Sequence, residues 1–263
     1  MHAKRLVVAV LLLPLFYFSV MGLPEWCFFA LLLTVSALAQ WELYSMYRIT
    51  GLMKNSGMLF GVLMLVAAYI SRDPFPPVFM FAVMVISAIR LFGFRDPSSS
   101  LRDIAFTLLA LFYIPGLLAF QVLLRHNGPQ WIIFLYGCVW ISDSAAYYVG
   151  KSIGKRKLYR EISPNKTVAG AMGSLIGGSL SGWMLNMVLV RSMWTGESLV
   201  VGAIIGAVTI IGDLVESMFK RDAGVKDSSS IVPGHGGILD KIDGVLFAGP
   251  VLYLVFEILG GMK

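Results

Sequence analysis

The sequence predicts an all-α membrane protein, a polytopic bundle of about nine transmembrane helices with a cytoplasmic N-terminus. The chain has a mean hydropathy of +0.79, and 57% of its residues are hydrophobic. Charged residues make up 14%, whereas soluble domains have about 25%. Several apolar runs approach or exceed the roughly 18 residues that mark a candidate spanning helix. The composition therefore indicates one membrane bundle and no separate soluble domain.

The apolar runs give the order of the spans. We predict them at residues 6–22, 26–46, 57–71, 75–93, 102–124, 131–149, 168–190, 198–218 and 244–260. The third run is short and is the weakest of the nine. The N-terminal run resembles a signal peptide, but no small-x-small cleavage site follows it, so we expect it to be retained as the first span.

The spans divide the chain into two predicted regions. Residues 1–130 form N-terminal membrane helices, and residues 131–263 form the C-terminal catalytic helices with cytoplasmic loops 150–167 and 219–243. The basic residues set the orientation, because 17 of the 21 lysines and arginines fall on one side of the nine spans. We therefore expect the N-terminus inside and the C-terminus outside. The net charge of +6 is spread over short loops, which excludes a nucleic-acid footprint.

Three carboxylates converge on the cytoplasmic side. Glu42, Asp143 and Asp213 lie near the inner ends of spans two, six and eight. Asp143 precedes Lys151 by eight residues and lies roughly 12 Å below the loop. A charged carboxylate near the bilayer centre costs about 2.5–3.5 kcal/mol or more unless it is paired or metal-bound. The convergence indicates either a shared site or a polar network that holds the helices together.

The most polar stretch, residues 213–243, separates the last two spans. Asp213, Glu216, Ser217 and Lys220 follow a helical spacing and share one face. Asp240 and Asp243 repeat that spacing at a helix start, where carboxylates complement the macrodipole. Two such faces could hold magnesium, which takes one or two carboxylates plus substrate phosphates. The alternative is helix capping and salt bridging.

Two loop motifs could contact phosphate. Residues 233–237 form a turn with three glycines whose backbone amides can approach an anion, and His235 lies within it. It could equally be an ordinary turn, and the lysines and arginine before it could simply anchor the membrane surface. The motif ISPNKT at 162–167 places Lys166 and Thr167 at the mouth of span seven. Its alternative is a helix start with Ser163 as the cap and Pro164 in the first turn.

The C-terminal half resembles a known family. Ser217-Met-Phe-Lys-Arg, then Lys226-Asp227, then Pro233-Gly-His-Gly-Gly-Ile-Leu-Asp240-Lys-Ile-Asp243 is similar to the signature of phosphatidate cytidylyltransferases, the CDP-diacylglycerol synthases. Ser142-Asp143 and Ser163-Pro164-Asn-Lys166-Thr167 also resemble the family. Two positions depart from its pattern. Lys241 stands where the family usually has arginine, and Val168-Ala169 replaces an aromatic–acid pair.

The resemblance implies transfer of CMP from CTP to phosphatidate, with Mg²⁺ as cofactor, in one or two ions. Asp213 and Asp240 are the leading metal ligands, and Asp143 and Asp243 are further candidates. The expected catalytic residues are Asp213, Asp240, Lys220, Arg221, Lys226 and Lys241. The expected substrate-binding residues are Lys166, Thr167, Ser163, Ser217, Gly234, His235, Gly236 and Gly237.

We expect a multi-pass protein of the inner (plasma) membrane whose site faces the cytoplasm. Its expected partners are the substrates CTP and phosphatidate and membrane lipid, and we expect no nucleic-acid partner. A homodimer is a further expectation. Two alternative classes remain. One is a carrier, although carriers place polar sites near the midplane. The other is a different CTP-using lipid enzyme, such as a polyprenol kinase or a cytidylyltransferase for another lipid phosphate. Because Lys241 replaces the usual arginine, an inactive or regulatory paralogue is a further alternative.

Overall fold

The computed structural model describes residues 14–72, 77–94, 96–231 and 236–259. Residues 14–21 are helical. The following elements are α1 (Glu25–Met46), α2 (Gly51–Ser71), α3 (Val78–Gly93), α4 (Ser100–Leu111), α5 (Leu117–His126), α6 (Pro129–Ile153), β1 (Lys157–Tyr159), β2 (Ser163–Thr167), α7 (Val168–Leu185), α8 (Thr195–Asp222) and α9 (Leu239–Ile258).

The all-α membrane class is confirmed. Within the described part of the chain, six helical stretches are long and apolar enough to cross a membrane: Glu25–Met46, Gly51–Ser71, Ser100–His126, Pro129–Ile153, Val168–Val190 and Thr195–Asp222. Helix α3 is apolar but has 16 residues. Helix α9 carries Asp240, Lys241 and Asp243 in its first turns. The count of nine spans and the orientation stay predictions, and residues 6–13 of the first predicted span lie outside the described ranges.

Two spans contain π-helical segments, which the apolar runs alone do not predict. Phe112–Gly116 joins α4 to α5 and contains Pro115, and Asn186–Val190 extends α7. Proline lacks an N–H group and crowds the preceding turn, so a local change in helical pitch accommodates it. The third predicted span proves longer than expected, because α2 begins at Gly51 rather than at residue 57.

A short antiparallel hairpin interrupts the helical fold after α6. Strand β1 pairs with β2, with Lys157 opposite Thr167 and Tyr159 opposite Ser163. The alternative interpretation of residues 162–167 as a helix start capped by Ser163 is therefore wrong. Helix α7 begins at Val168, and the hydroxyl of Thr167 caps it by accepting a hydrogen bond from the backbone N–H of Gly170 at 3.0 Å.

Glycines set the packing of α6, α7 and α8. A Cβ atom on Gly202 would collide with the carbonyl oxygen of Gly178, and one on Gly177 would lie 2.5 Å from the Cβ of Ala145. Small residues let helix backbones approach closely in membranes, where packing replaces the hydrophobic drive between helices. The main core contains buried residues from both predicted regions, among them Leu43, Tyr44, Leu135 and Leu246. The two regions therefore share one core.

Candidate active site

A cavity of about 650 Å³ lies between α6, the hairpin, α7 and α8. Its charged lining combines two carboxylates, Asp143 and Asp213, with three lysines, Lys151, Lys157 and Lys166. The uncharged lining includes Tyr147, Gly150, Gly154, Ser163, Asn165, Thr167 and Gly170. Three of the predicted substrate-binding residues, Ser163, Lys166 and Thr167, therefore lie in the same cavity as two of the predicted metal ligands.

Close backbone contacts hold the hairpin against α6. A Cβ atom on Gly150 would lie 3.0 Å from the Thr167 hydroxyl and 3.4 Å from the Cα of Gly170. A Cβ atom on Gly154 would lie 2.8 Å from the Cβ of Thr167. Side chains at these two glycines would push the hairpin away from the helix. The glycines thus fix the strand that carries Lys166 beside the carboxylates.

Asp143, Asp213, Asp243 and Lys166 form one group, which we call the cavity cluster. Lys166 Nζ lies 2.6 Å from Asp213 Oδ2, and Ser217 Oγ donates to Asp213 Oδ1 at 3.3 Å. Asp213 is close enough to Asp143 and Asp243 for each pair to interact electrostatically. Three carboxylates on three different helices thus share one lysine.

The donor chemistry of the cavity cluster fits a hard divalent cation. Across the ranges that the structure describes, no three histidine, cysteine, aspartate or glutamate side chains lie close enough to ligate one ion. Magnesium, however, usually takes one or two carboxylates and completes its shell with water and substrate phosphates. Asp143 and Asp213, which line the cavity, suit that mode of binding.

A second group, the loop cluster, consists of Glu42, Glu216, Lys220 and Asp240. Lys220 Nζ lies 2.5 Å from Glu216 Oε2 and 2.6 Å from Asp240 Oδ1. Asp240 Oδ2 also accepts hydrogen bonds from the backbone N–H of Ser228 at 3.0 Å and of Gly237 at 2.7 Å. Glu216 is fully buried, and Lys220 and Asp240 are nearly so. This cluster holds Ser228 and Gly237, in the connection between α8 and α9, beside Lys220.

The antiparallel register of α8 and α9 separates the two leading metal candidates. Gly212 packs against the backbone of Asp243, so that a Cβ on it would lie 2.5 Å from the Asp243 carbonyl oxygen. Further along α8, Lys220 meets Asp240. The structure therefore brings Asp213 together with Asp243 and Asp143, and it places Asp240 beside Lys220. The roles of all four as metal ligands stay predictions.

The remaining predicted residues differ in their contacts and exposure. Arg221 Nε donates to the carbonyl oxygen of Ile162 at 3.2 Å, which ties the hairpin to α8. Lys226 and Lys241 have exposed side chains. Gly236 has a positive φ of 82°, and a Cβ on it would lie 2.5 Å from Asp240 Oδ2. Gly234 and His235 lie outside the described residues.

Glu42 is one of the three acids that the sequence predicts to converge, but it is not among the predicted site residues. Its carboxylate accepts four hydrogen bonds from residues 228–239, nearly two hundred positions away in the chain. The one signal in the sequence was its charge near the inner end of a span. Nothing local in the sequence indicated its partners.

Comparisons with known proteins point to one family. A family model described as the cytidylyltransferase family matches residues 3–259. A phosphatidate cytidylyltransferase of Synechocystis sp. is 32% identical over 96% of this chain and 96% of its own length. Proteins of that name from Bacillus subtilis and Thermotoga maritima are 39% and 34% identical, the first over 59% of each chain and the second over 64%.

Proposed function

The chain belongs to the cytidylyltransferase family, and from that premise we propose that it transfers CMP from CTP to phosphatidate, releasing pyrophosphate. The observation that carries the proposal is the cavity lined by Asp143 and Asp213 together with Lys151, Lys157 and Lys166. It joins groups for binding phosphates to carboxylates suited to a divalent cation. The cavity also lies among helices apolar enough to cross a membrane, where a lipid phosphate can enter.

The chemistry requires charge neutralisation more than proton transfer. An oxygen of the phosphatidate phosphate attacks the α-phosphorus of CTP, and the bond from that phosphorus to the bridging oxygen of the β-phosphate breaks. The product is CDP-diacylglycerol, and the bond electrons leave with pyrophosphate. The nucleophile is already anionic, so the main barrier is repulsion between two phosphates. Positioning and electrostatic stabilisation dominate such reactions.

We propose that the lysines of the cavity neutralise the negative charge of the two phosphates. Lys166 approaches from β2 and is held by Asp213, so its ammonium group is oriented before substrate arrives. Lys151 and Lys157 lie on opposite sides of the α6–β1 connection and add positive charge at the same cavity. Thr167 and Ser163 supply hydroxyl groups that can donate to phosphate oxygens.

We propose that the cavity cluster holds Mg²⁺ through Asp213, with Asp143 or Asp243 as a second ligand. When bound, the ion would neutralise charge on the triphosphate and align it. In this assignment, Asp240 acts through the loop, since Lys220, Ser228 and Gly237 already occupy its oxygens.

We further propose that the chain crosses a bacterial inner membrane nine times, with its N-terminus inside. In this arrangement the site faces the cytoplasm. The bias of basic residues supports this orientation. A reporter fused after Lys263 should be active only in its extracytoplasmic form, and cytoplasmic activity would mean that a span was miscounted. The homodimer stays a prediction.

The proposed reaction is tested with purified protein in detergent, phosphatidate, Mg²⁺ and CTP labelled in the cytidine. Label should move into the lipid phase with release of pyrophosphate, and EDTA should abolish the transfer. A lipid kinase would instead release CDP and leave the cytidine label in water. Formation of CDP without labelled lipid would overturn the proposed transfer.

A further inference from the structure

The connection between α6 and α7 concentrates positive charge. Residues 151–161 hold five of the chain's 21 lysines and arginines and a single acid, Glu161. The polar connection 220–243 instead balances four basic residues with four acids. Two of the five basic residues, Lys151 and Lys157, line the cavity. The other three have exposed side chains, and we call them the hairpin cations: Lys155, Arg156 and Arg160.

The hairpin cations have no acidic partner among the described residues. The ion pairs of the described ranges all involve other side chains, such as Lys166 with Asp213 and Lys220 with Asp240. Like charges on neighbouring residues repel one another, and an anion from outside the chain would relieve that repulsion. The charge of the hairpin is therefore available to an external anion.

The hairpin begins and ends at the boundary of two spans. Helix α6 ends at Ile153, and the spanning stretch Val168–Val190 begins with α7. This stretch has 23 residues, about 35 Å of helix, whereas the hydrocarbon core of a bilayer is about 30 Å thick. Its first residue therefore lies near the lipid headgroups. The backbone N–H of Val168 donates to the carbonyl oxygen of Arg156 at 2.9 Å, which places Arg156 at the same level.

The rest of β1 stays close to that level. Lys157 pairs with Thr167, and Tyr159 pairs with Ser163. From Arg156 to Tyr159 the chain advances three residues, at most about 10 Å. This distance is close to the Debye length, which is about 10 Å at 0.1 M salt. The hairpin cations therefore lie where the negative potential of an anionic lipid surface still acts.

Exposed apolar side chains accompany these charges. Ile153 is 68% exposed and Tyr159 is 49% exposed. Tyrosine is enriched at membrane–water interfaces, because its ring enters the apolar layer while its hydroxyl stays in water. Leu158 and Lys157, in the same strand, line the cavity. The hairpin therefore combines features of a lipid-contacting surface with a position beside the cavity.

We propose that Lys155, Arg156 and Arg160 bind anionic headgroups of the membrane that the chain spans and hold them beside the cavity. Charge complementarity selects an anion, and the level of the hairpin selects lipid, because headgroups surround a surface at this level. The inference goes beyond the transfer reaction and does not depend on it, since it concerns lipid contact without CTP. In the proposed reaction, phosphatidate would be one of the lipids held there.

The test uses the full chain in nanodiscs, with a fluorescent dye on Ser152→Cys, an exposed position three residues before Lys155. Cys27→Ser removes one native thiol, and Cys138 is buried. The dye is quenched by phosphatidylglycerol or phosphatidylcholine that carries a nitroxide on the same acyl chain. Each basic residue near the surface gives about a fivefold gain in binding an anionic lipid. We therefore expect half-quenching at over tenfold less phosphatidylglycerol than phosphatidylcholine, and at similar amounts in 1 M salt.

Variants assign this preference to the hairpin. Lys155→Gln combined with Arg156→Gln should reduce the preference to about fivefold, the contribution of one remaining cation. The matched control, Arg48→Gln combined with Arg102→Gln, removes two exposed basic residues elsewhere in the chain and should keep the full preference. If the first pair does not fold, Arg160→Gln alone decides, and it should lower the preference about fivefold.

Three results would overturn the inference. They are equal quenching by the two lipids before any hairpin substitution, an unchanged preference in the folded hairpin variant, and an equal loss in the control pair, which would reflect net charge alone. Since no CTP or phosphatidate is present, these results leave the proposed transfer reaction untouched. A protein that prefers the anionic lipid but forms no labelled product would refute the reaction and leave the inference standing.

Discussion

The cavity cluster and the loop cluster both gather carboxylates around α8, yet they differ in how completely their oxygens are hydrogen-bonded. In the loop cluster, Glu42 accepts four hydrogen bonds, and Asp240 is surrounded by Lys220, Ser228 and Gly237. In the cavity cluster, Asp143, Asp213 and Asp243 share Lys166, and the Asp213 side chain is 37% exposed. The oxygens of Glu42 and Asp240 are already occupied and define architecture, whereas Asp143 and Asp213 line a cavity and are available for a ligand.

Substituting Asp213 should give the largest effect, because it removes the centre of the cavity cluster. We expect Asp213→Asn to lower product formation about 10³-fold, the upper range for loss of one electrostatic contact in an active site. The melting temperature should not fall, since the substitution also relieves repulsion from neighbouring carboxylates.

The measurement is specific activity and thermal unfolding on the same preparation, with Glu257→Gln as the control. Glu257 is an exposed carboxylate near the end of α9 and belongs to neither cluster. Near-normal turnover by the Asp213 variant would show that the cavity cluster is a structural network, like the loop cluster.

Substituting Lys220, in the loop cluster, should lower the folding stability, whereas the Asp213 substitution lowers activity. Lys220→Met leaves Glu216, which is fully buried, without its cation. Removing one partner of a buried ion pair typically costs about 3–5 kcal/mol, more than a hundredfold in the folding equilibrium.

A second substitution sharpens this test. Adding Glu216→Gln removes the stranded charge and should recover part of the lost stability, which chemical denaturation would measure. If the double variant is no more stable than Lys220→Met, then the lysine does not stabilise the fold by neutralising Glu216.

The smallest effect is expected at Lys241, whose side chain is exposed beside the loop cluster. Water screens an exposed charge, so Lys241→Ala should lower kcat about tenfold rather than abolish it. Lys241→Arg should keep or raise activity, because arginine adds bidentate phosphate contacts. Full turnover in the alanine variant would identify Lys241 as a membrane-surface anchor.

The sequence predicts the helices because long apolar runs require spans, and each of α1 to α9 overlaps a predicted run, although α2 begins at Gly51 rather than at residue 57. It did not predict the hairpin, since strands of three and five residues are too short to leave a periodic signal. From the sequence, Asp213 and Asp240 are predicted to act as a pair because both flank the same loop. The pairing of Asp213 with Asp243 depends on the register of α8 against α9, which Gly212 sets through a contact that hydropathy does not encode.

The glycine contacts among α6, α7 and α8 have a mechanical consequence. Helices whose backbones touch cannot slide or separate without losing many contacts at once, so these three form a stiff block behind the cavity. The hairpin forms another side of the cavity, and Arg221 joins it to α8 by donating to the Ile162 carbonyl oxygen. Since Gly150 and Gly154 hold the Thr167 end of the hairpin against α6, any change in cavity width as a bulky triphosphate enters and pyrophosphate leaves would fall on the end near Ile162, with Arg221 as its tether.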